Sequence, residues 1–371
     1  MGFEKIDISK FRRNSSFYGE IPLLLSVKSF DLEAIRKRYI KSRQNVSSRV
    51  GSVERRKITI GGIVKLTIKN SVLTEEEILT KIPEPRGIDS FNGRIAISSE
   101  NKVFIISSTN INEISNPWFS YIHTVNFDRK SNDRILVSSS GYDAIFEYDL
   151  NTKSKTYEWF AWENGFSHGY DPQTGEKFYL TRKEKDYLKF KEQGNECIFI
   201  ANPVKQVLPT AKRSAFINSV VYDLENHDNI IATFFHIGAV FNINKKSNKT
   251  TIKLDGLKSP HGGQKFKNAY LGTSTSGGMV VAGTLDQKVG YFFNSLPGKP
   301  KYIGDLEWLQ NSIIVNDNIV TIDSNRNSFV IFNPEKNVFD IIPFNNNWAI
   351  QDLIVSNPKP SHLSLIKGLG T

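Results

Sequence analysis

A short polar signature returns along this chain every 37 to 50 residues, and a repeat of that length restricts the fold more than any other feature. Its members read Pro85-Arg86-Gly87-Ile88, Ile122-His123-Thr124-Val125, Ser167-His168-Gly169-Tyr170, Ile217-Asn218-Ser219-Val220, Pro260-His261-Gly262-Gly263, Gln310-Asn311-Ser312-Ile313 and Ile350-Gln351-Asp352-Leu353. Successive members lie 37, 45, 50, 43, 50 and 40 residues apart, the period of one four-stranded propeller blade. Each opens a β run, and the runs are separated by turns rich in Asn, Asp, Gly and Pro, such as Phe91-Asn92-Gly93 and Asp171-Pro172-Gln173-Thr174-Gly175. Regular strand units with no helix between them favour a propeller over a sandwich. The chain therefore reads as one all-β domain over 1–371, a seven-bladed β-propeller. Six blades is the alternative, with the His168 unit as an insertion, because Lys183 to Asn195 is very polar.

Ring closure follows from the two ends of the sequence. Only Asp352 to Ser356 is available as a strand after the seventh member, so that blade needs N-terminal strands, Pro22 to Val27 and Ile58 to Ile68, to complete it. Residues 1–20 read as an extended arm on the surface. Asp31 is placed as an N-cap for a helix over Leu32 to Arg43, and Gly61-Gly62 as the turn of a hairpin. Ser47 to Ser52 reads as a polar loop.

The net charge of +10 is concentrated in a basic helical insertion at about residues 28–57. Between Arg36 and Lys57 nine basic residues face the single acid Glu54, giving this stretch +8. Such a stripe suits RNA, an anionic membrane or an acidic partner, although a solvated insertion is the simpler reading. The apolar stretch Ile21 to Leu25 is far too short for a membrane span, and Glu4 and Asp7 spoil a basic leader, so no transmembrane segment is read and the cytoplasm is expected. The lone Cys197 excludes an internal disulfide framework and any CxxC metal site.

Equivalent positions of a propeller converge on its axis, so the repeat predicts a ring of Arg86, His123, His168, Asn218, His261, Asn311 and Gln351. Three of the six histidines fall on this column. Three neutral imidazoles plus water match a metal centre with an open coordination position, zinc or iron(II), held by His123, His168 and His261. A metal-free site for a small polar or anionic substrate fits the same residues, as does plain hydrogen bonding to backbone and axial water. Arg86 is the candidate for an anionic group, with Asn218, Asn311 and Gln351 as hydrogen-bonding partners.

Loops returning to the column face add Tyr142, His236 and Arg326 as candidate acid, base or anion-binding groups. Aromatic residues before the column, Trp118, Phe166, Phe216, Trp308 and Trp348, read as wedges between blades or as pocket walls, and Trp159 and Trp162 as a pocket cap. No GxSxG, P-loop, HExxH or GxGxxG occurs, which removes support for the activities those motifs carry.

The openings Pro260-His261-Gly262-Gly263, Ser167-His168-Gly169-Tyr170-Asp171-Pro172 and Ile122-His123-Thr124-Val125-Asn126-Phe127-Asp128 resemble those of NHL-type and strictosidine-synthase-like propellers. The resemblance covers about residues 80 to 355. Within that group, peptidylamidoglycolate lyases hold zinc on three inner-strand histidines beside an arginine, which is similar to His123, His168, His261 and Arg86 here. Those lyases are disulfide-bonded, secretory and six-bladed, which this chain with one cysteine does not match. Arylsulfotransferase-like propellers also carry histidines at this face. The resemblance carries no activity over, and the expectation rests on the axial pocket: a propeller enzyme, a lyase, hydrolase or transferase, acting on a small polar or anionic substrate with or without a divalent metal; the alternative is a non-catalytic scaffold holding a protein, nucleic acid or anionic surface through the basic insertion.

Overall fold

A computed structural model describes residues 3–45 and 49–370, so the loop expected over 47–52 lies partly outside the described residues. Among the described residues, six strands start the sheets that surround the axis: Ile88–Phe91, Ile122–Phe127, Ile217–Tyr222, Pro260–Phe266, Leu309–Val315 and Ala349–Val355. Each packs against the next, and Ala349–Val355 returns to Ile88–Phe91. From each, an antiparallel sheet runs outward, and the arrangement is that of a β-propeller.

A belt of hydrogen bonds links these inner strands in one cycle. Phe127 N donates to Asp89 Oδ2 at 2.8 Å, Tyr222 N to Asn126 Oδ1 at 3.0 Å, and Asn218 Nδ2 to Pro260 O at 3.0 Å. Gln264 Nε2 then donates to Ser312 O at 2.8 Å, Asn311 Nδ2 to Asp352 Oδ1 at 2.6 Å, and Ile88 N to Asp352 Oδ2 at 3.5 Å. Inner strands of a propeller have no sheet partner on the axial side, so their polar groups are met by side chains instead.

The His168 unit does not enter this cycle. Its strands His168–Tyr170, Lys177–Thr181 and Glu196–Phe199 form a separate three-stranded sheet. The last two pair in parallel across a helix, Glu184–Glu192, whereas the sheets of the axial cycle are antiparallel meanders apart from the arm's added edges. Thr124 Oγ1 accepts directly from Val220 N at 2.9 Å, so the strands on either side of the unit meet at the axis without it. The expectation that His168 joins the axial ring is thereby corrected: a three-residue strand followed by a βαβ crossover cannot supply an inner strand and its meander.

The blade that joins the two ends pairs Ala349–Val355 antiparallel with Glu20–Ser29, which continues to Ile60–Lys69 and Val72–Pro83. The turn expected at Gly61-Gly62 is not there. These glycines lie inside a strand, where a Cβ would collide with Val27 O and Thr80 O of its neighbours, and the chain reverses instead at Asn70-Ser71, both with positive φ. Residues 3–13 are more structured than an extended arm. Glu4–Asp7 adds in parallel to Lys288–Phe292 and Arg12–Arg13 to Val338–Pro343, with Ile8 and Phe11 buried between the two blades. The arm thus covers two outer sheet edges.

Helix α1, Leu32–Ser42, is capped by Asp31, whose Oδ1 accepts from Ala34 N at 2.9 Å. Its apolar side, Leu32 and Ile35 with Tyr39, packs on Trp308 and Ala349. This seats the helix over the axial mouth on the column face. No described helix is long and apolar enough to cross a membrane.

Candidate functional site

Under α1 lies a cavity of about 130 Å³ on the axis, room for a small organic molecule and below the size of a drug-sized ligand site. Its wall is built by one backbone device. Glu84, Tyr121, Phe216 and Ser259 each have positive φ, between 37° and 54°, and each stands two residues before a column residue: Arg86, His123, Asn218 and His261. A left-handed step is uncommon for residues with a Cβ. Repeated in four blades, it swings the chain from the face loop into the inner strand and presents the column side chains to the axis.

Three guanidinium groups, those of Arg38, Arg56 and Arg86, line the cavity together with the amine of Lys28, and no Asp or Glu is among the described lining residues. Arg86 donates from Nη2 to Glu84 Oε2 at 2.9 Å and from Nη1 to Gln351 Oε1 at 3.4 Å; its buried Nε has no partner. Arg56 Nη2 reaches the same Glu84 Oε2 at 3.1 Å. Behind the wall, Arg213 is wholly buried between the rings of Tyr121 and Phe216, 4.7 and 4.6 Å from their centroids, with Nε and Nη1 unpartnered. The single carboxylate of Glu84 therefore serves two guanidinium groups, and the cavity keeps a positive excess.

Lys28 escaped the sequence reading. It ends the apolar run Leu23-Leu24-Leu25-Ser26-Val27, and a lysine closing a buried strand at the column face was the available signal. Its Nζ donates to Gln351 Oε1 at 2.8 Å and, with the Gln310 amide turned to suit its neighbours, to Gln310 Oε1 at 3.2 Å. It also sits 5.5 Å from the Trp308 ring centroid. Burial, then the charge of Arg56, brings its pKa down to about 7.

His123 and His261 both line the cavity. His123 Nδ1 donates to Tyr121 O at 3.0 Å, leaving Nε2 as the acceptor facing Arg86 Nη1 at 3.4 Å. Burial, reinforced by Arg213, holds it neutral, far below the usual imidazole range. His261 Nδ1 meets Thr275 Oγ1 at 2.7 Å, and burial with Lys28 nearby pushes its pKa down to about 3. His168 lies elsewhere, half-buried beside Tyr170 and Tyr179 in a cleft of about 580 Å³. The triad expected for zinc or iron(II) is not assembled, and among the described residues no group of three His, Cys, Asp or Glu is placed to hold a metal. The residues of the axial cavity do not fit a dication: the guanidinium of Arg86 faces the free nitrogen of His123, and the lining charges would repel it.

The remaining sequence candidates divide. Gln351 lines the cavity and joins Lys28 to Arg86. Asn218 is buried in the ring with Oδ1 unpartnered. Asn311 faces the opposite end of the axis, bonded to Asp352. His236 lines the outer cleft with His168, its Nε2 meeting Thr210 O at 2.9 Å. Tyr142 is not at the rim. It is fully buried, donates to Pro203 O and packs edge-on to Trp118, so burial drives its hydroxyl pKa upward and it serves the core. Arg326 is likewise structural, its Nη1 held by Asp323 at 2.8 Å and Glu307 at 3.1 Å. Trp159 and Trp162 are core residues and cap nothing, whereas Trp308 and Phe216 do wall the cavity.

The basic insertion is not a uniformly solvated stripe. Arg36 is buried, with Nη2 on Ser324 O at 2.8 Å and Asn327 Oδ1 at 2.7 Å, and Arg49 bonds Arg213 O and Ser214 O, both at 2.8 Å. With Arg38 and Arg56 in the cavity wall, much of its charge turns inward, while Lys37, Lys41, Arg43, Arg55 and Lys57 stay exposed.

No family model matches the chain, and no curated protein matches it. A solved nidogen/laminin complex contains a chain that superposes with TM-score 0.54 over 90% of this chain and 97% of that one, at 11% identity. A streptogramin B lyase structure gives TM-score 0.42 over 70% and 83%, also at 11% identity. At such identity the likeness is one of fold, and what this chain shares with the nidogen/laminin structure is the β-propeller architecture.

Proposed function

We propose that this protein is a six-bladed propeller enzyme whose axial cavity, roofed by the basic insertion, binds a small organic anion. The blade number rests on the closed cycle of six inner strands. The ligand class rests on one observation above the others: Lys28, Arg38, Arg56 and Arg86 line a cavity that no carboxylate among the described residues lines. The three guanidinium groups suit a carboxylate or phosphate through paired N–H donors, and the unpartnered Nε of Arg86 is a donor awaiting an acceptor. His123 and His261 stand neutral in the wall and offer ring nitrogens as hydrogen-bonding groups toward the substrate.

Calorimetric titration at low ionic strength with lactate, phosphate and a neutral amide control tests this. Lactate or phosphate binds and the amide does not, and Arg38→Gln, which removes a charge without breaking a buried pair, weakens binding about tenfold. Equal affinity for anion and amide, or an unchanged Arg38→Gln, removes the reading.

A further inference from the structure

We propose that Lys28 is the covalent nucleophile of the axial cavity and captures the carbonyl carbon of a small 2-oxo acid as an imine. This rests on the anion-binding reading of the same cavity and adds the substrate class.

The lysine is unusual in what surrounds it. Buried lysines are rare without a carboxylate partner, yet Lys28 is 7% exposed and its hydrogen-bond partners are the neutral amide oxygens of Gln351 and Gln310. Two acceptors occupy the two N–H groups of an uncharged amine and leave its lone pair unengaged. Burial, Arg56 and Arg38 weaken its hold on a proton, and Glu84 opposes them. Arg38 on α1, Arg56 on the roof segment and Arg86 before its inner strand surround the same cavity, with Glu84 opposing them from behind and His123 and His261 neutral. Desolvation next to other cations is a recognised way to make a lysine nucleophilic at neutral pH. The same cations receive the carboxylate of the incoming acid, which places its adjacent carbonyl over the amine.

The step balances without a redox partner. The Lys28 lone pair forms the C–N bond as the carbonyl π pair moves to oxygen, and one proton passes from nitrogen to that oxygen. Loss of the resulting hydroxyl with a second nitrogen proton releases one water and leaves C=N. These protons pass between the nitrogen and the oxygen of the adduct itself, while His123 and His261, held neutral, line the wall.

Reductive trapping decides it. The full chain is incubated with pyruvate and cyanoborohydride, and the product is weighed intact and mapped by peptide. One adduct per chain on Lys28 is expected, protected by excess lactate and lost in Lys28→Arg and Lys28→Met. If lactate binds but pyruvate is not trapped, or is trapped only on other lysines, the covalent role fails while anion binding stands. If lactate neither binds nor protects and nothing is trapped, both fail. Should the variants not fold, the site mapped in the unaltered protein is decisive by itself; a folded Lys28→Arg trapped like the parent also overturns the proposal.

Discussion

The two ends of the propeller axis are made from the same six inner strands and have opposite chemistry. At the column face, left-handed steps aim Arg86, His123 and His261 into a roofed cavity lined by cations. At the other end, the channel of about 280 Å³ has Asp89 and Asp352 in its wall, with Arg129 beside Asp89 at 2.6 Å. Burial raises both carboxyl pKa values, that of Asp352 to about 7 with Asp89 reinforcing it. Asp352 spends its oxygens on Asn311, Leu353 and Ile88, so its work is to fasten strands. Lys28, by contrast, is held by amides that fasten no backbone. Asp352 is thus committed to the ring at one end, whereas at the other the Lys28 amine bonds side-chain amides.

That division is most exposed to test at Arg86. Arg86→Met strips Glu84 of its buried partner, and removing one side of a buried ion pair costs on the order of 3–5 kcal/mol. Urea denaturation of Arg86→Met should show a loss toward the lower end, because Arg56 remains on Glu84; a loss under about 1 kcal/mol would mean that the pair is not buried as described.

The two ends also predict opposite pH slopes. Lys28 holds its proton in the unfolded chain up to about 10.5 but in the native state only to about 7, so stability rises with pH across that window. Asp352 keeps its proton to about 7 when folded and loses it near 3.8 when unfolded, so stability falls from about pH 4 to 7. Denaturation curves across pH 4–10 should lose the rising limb in Lys28→Met and the falling limb in Asp352→Asn. Identical profiles for either variant and the parent would contradict that assignment. The smallest effect is expected at the roof. Tyr39→Phe keeps the ring stacked on Trp308 at 5.1 Å and removes the bond to Glu307 O at 2.8 Å, for a loss of about 1 kcal/mol.

Strand positions were legible because each blade alternates apolar and polar residues between turns, and α1 because Asp31 and its apolar spacing announce it. The place of His168 was not. The 94 residues between His123 and Asn218 hold either two blades or one blade and an insertion, and sequence distance does not distinguish an antiparallel meander from a βαβ crossover. The direction of the basic insertion was equally hidden, since Arg36 and Arg38 are two residues apart on one helix yet bond the rim and line the cavity respectively. Lys28 was overlooked because a strand lysine is ordinarily solvated, and only the roof above it takes water away.

The blade that unites Glu20–Ser29 with Ala349–Val355 also sets an order of events during synthesis. Its partners are more than three hundred residues apart, so the N-terminal strands leave the ribosome with an open edge and wait for nearly the whole ring to be translated. The same last inner strand carries Gln351, so Lys28 gains that acceptor only when the ring closes. The wall of the cavity is therefore complete only once that strand closes the ring.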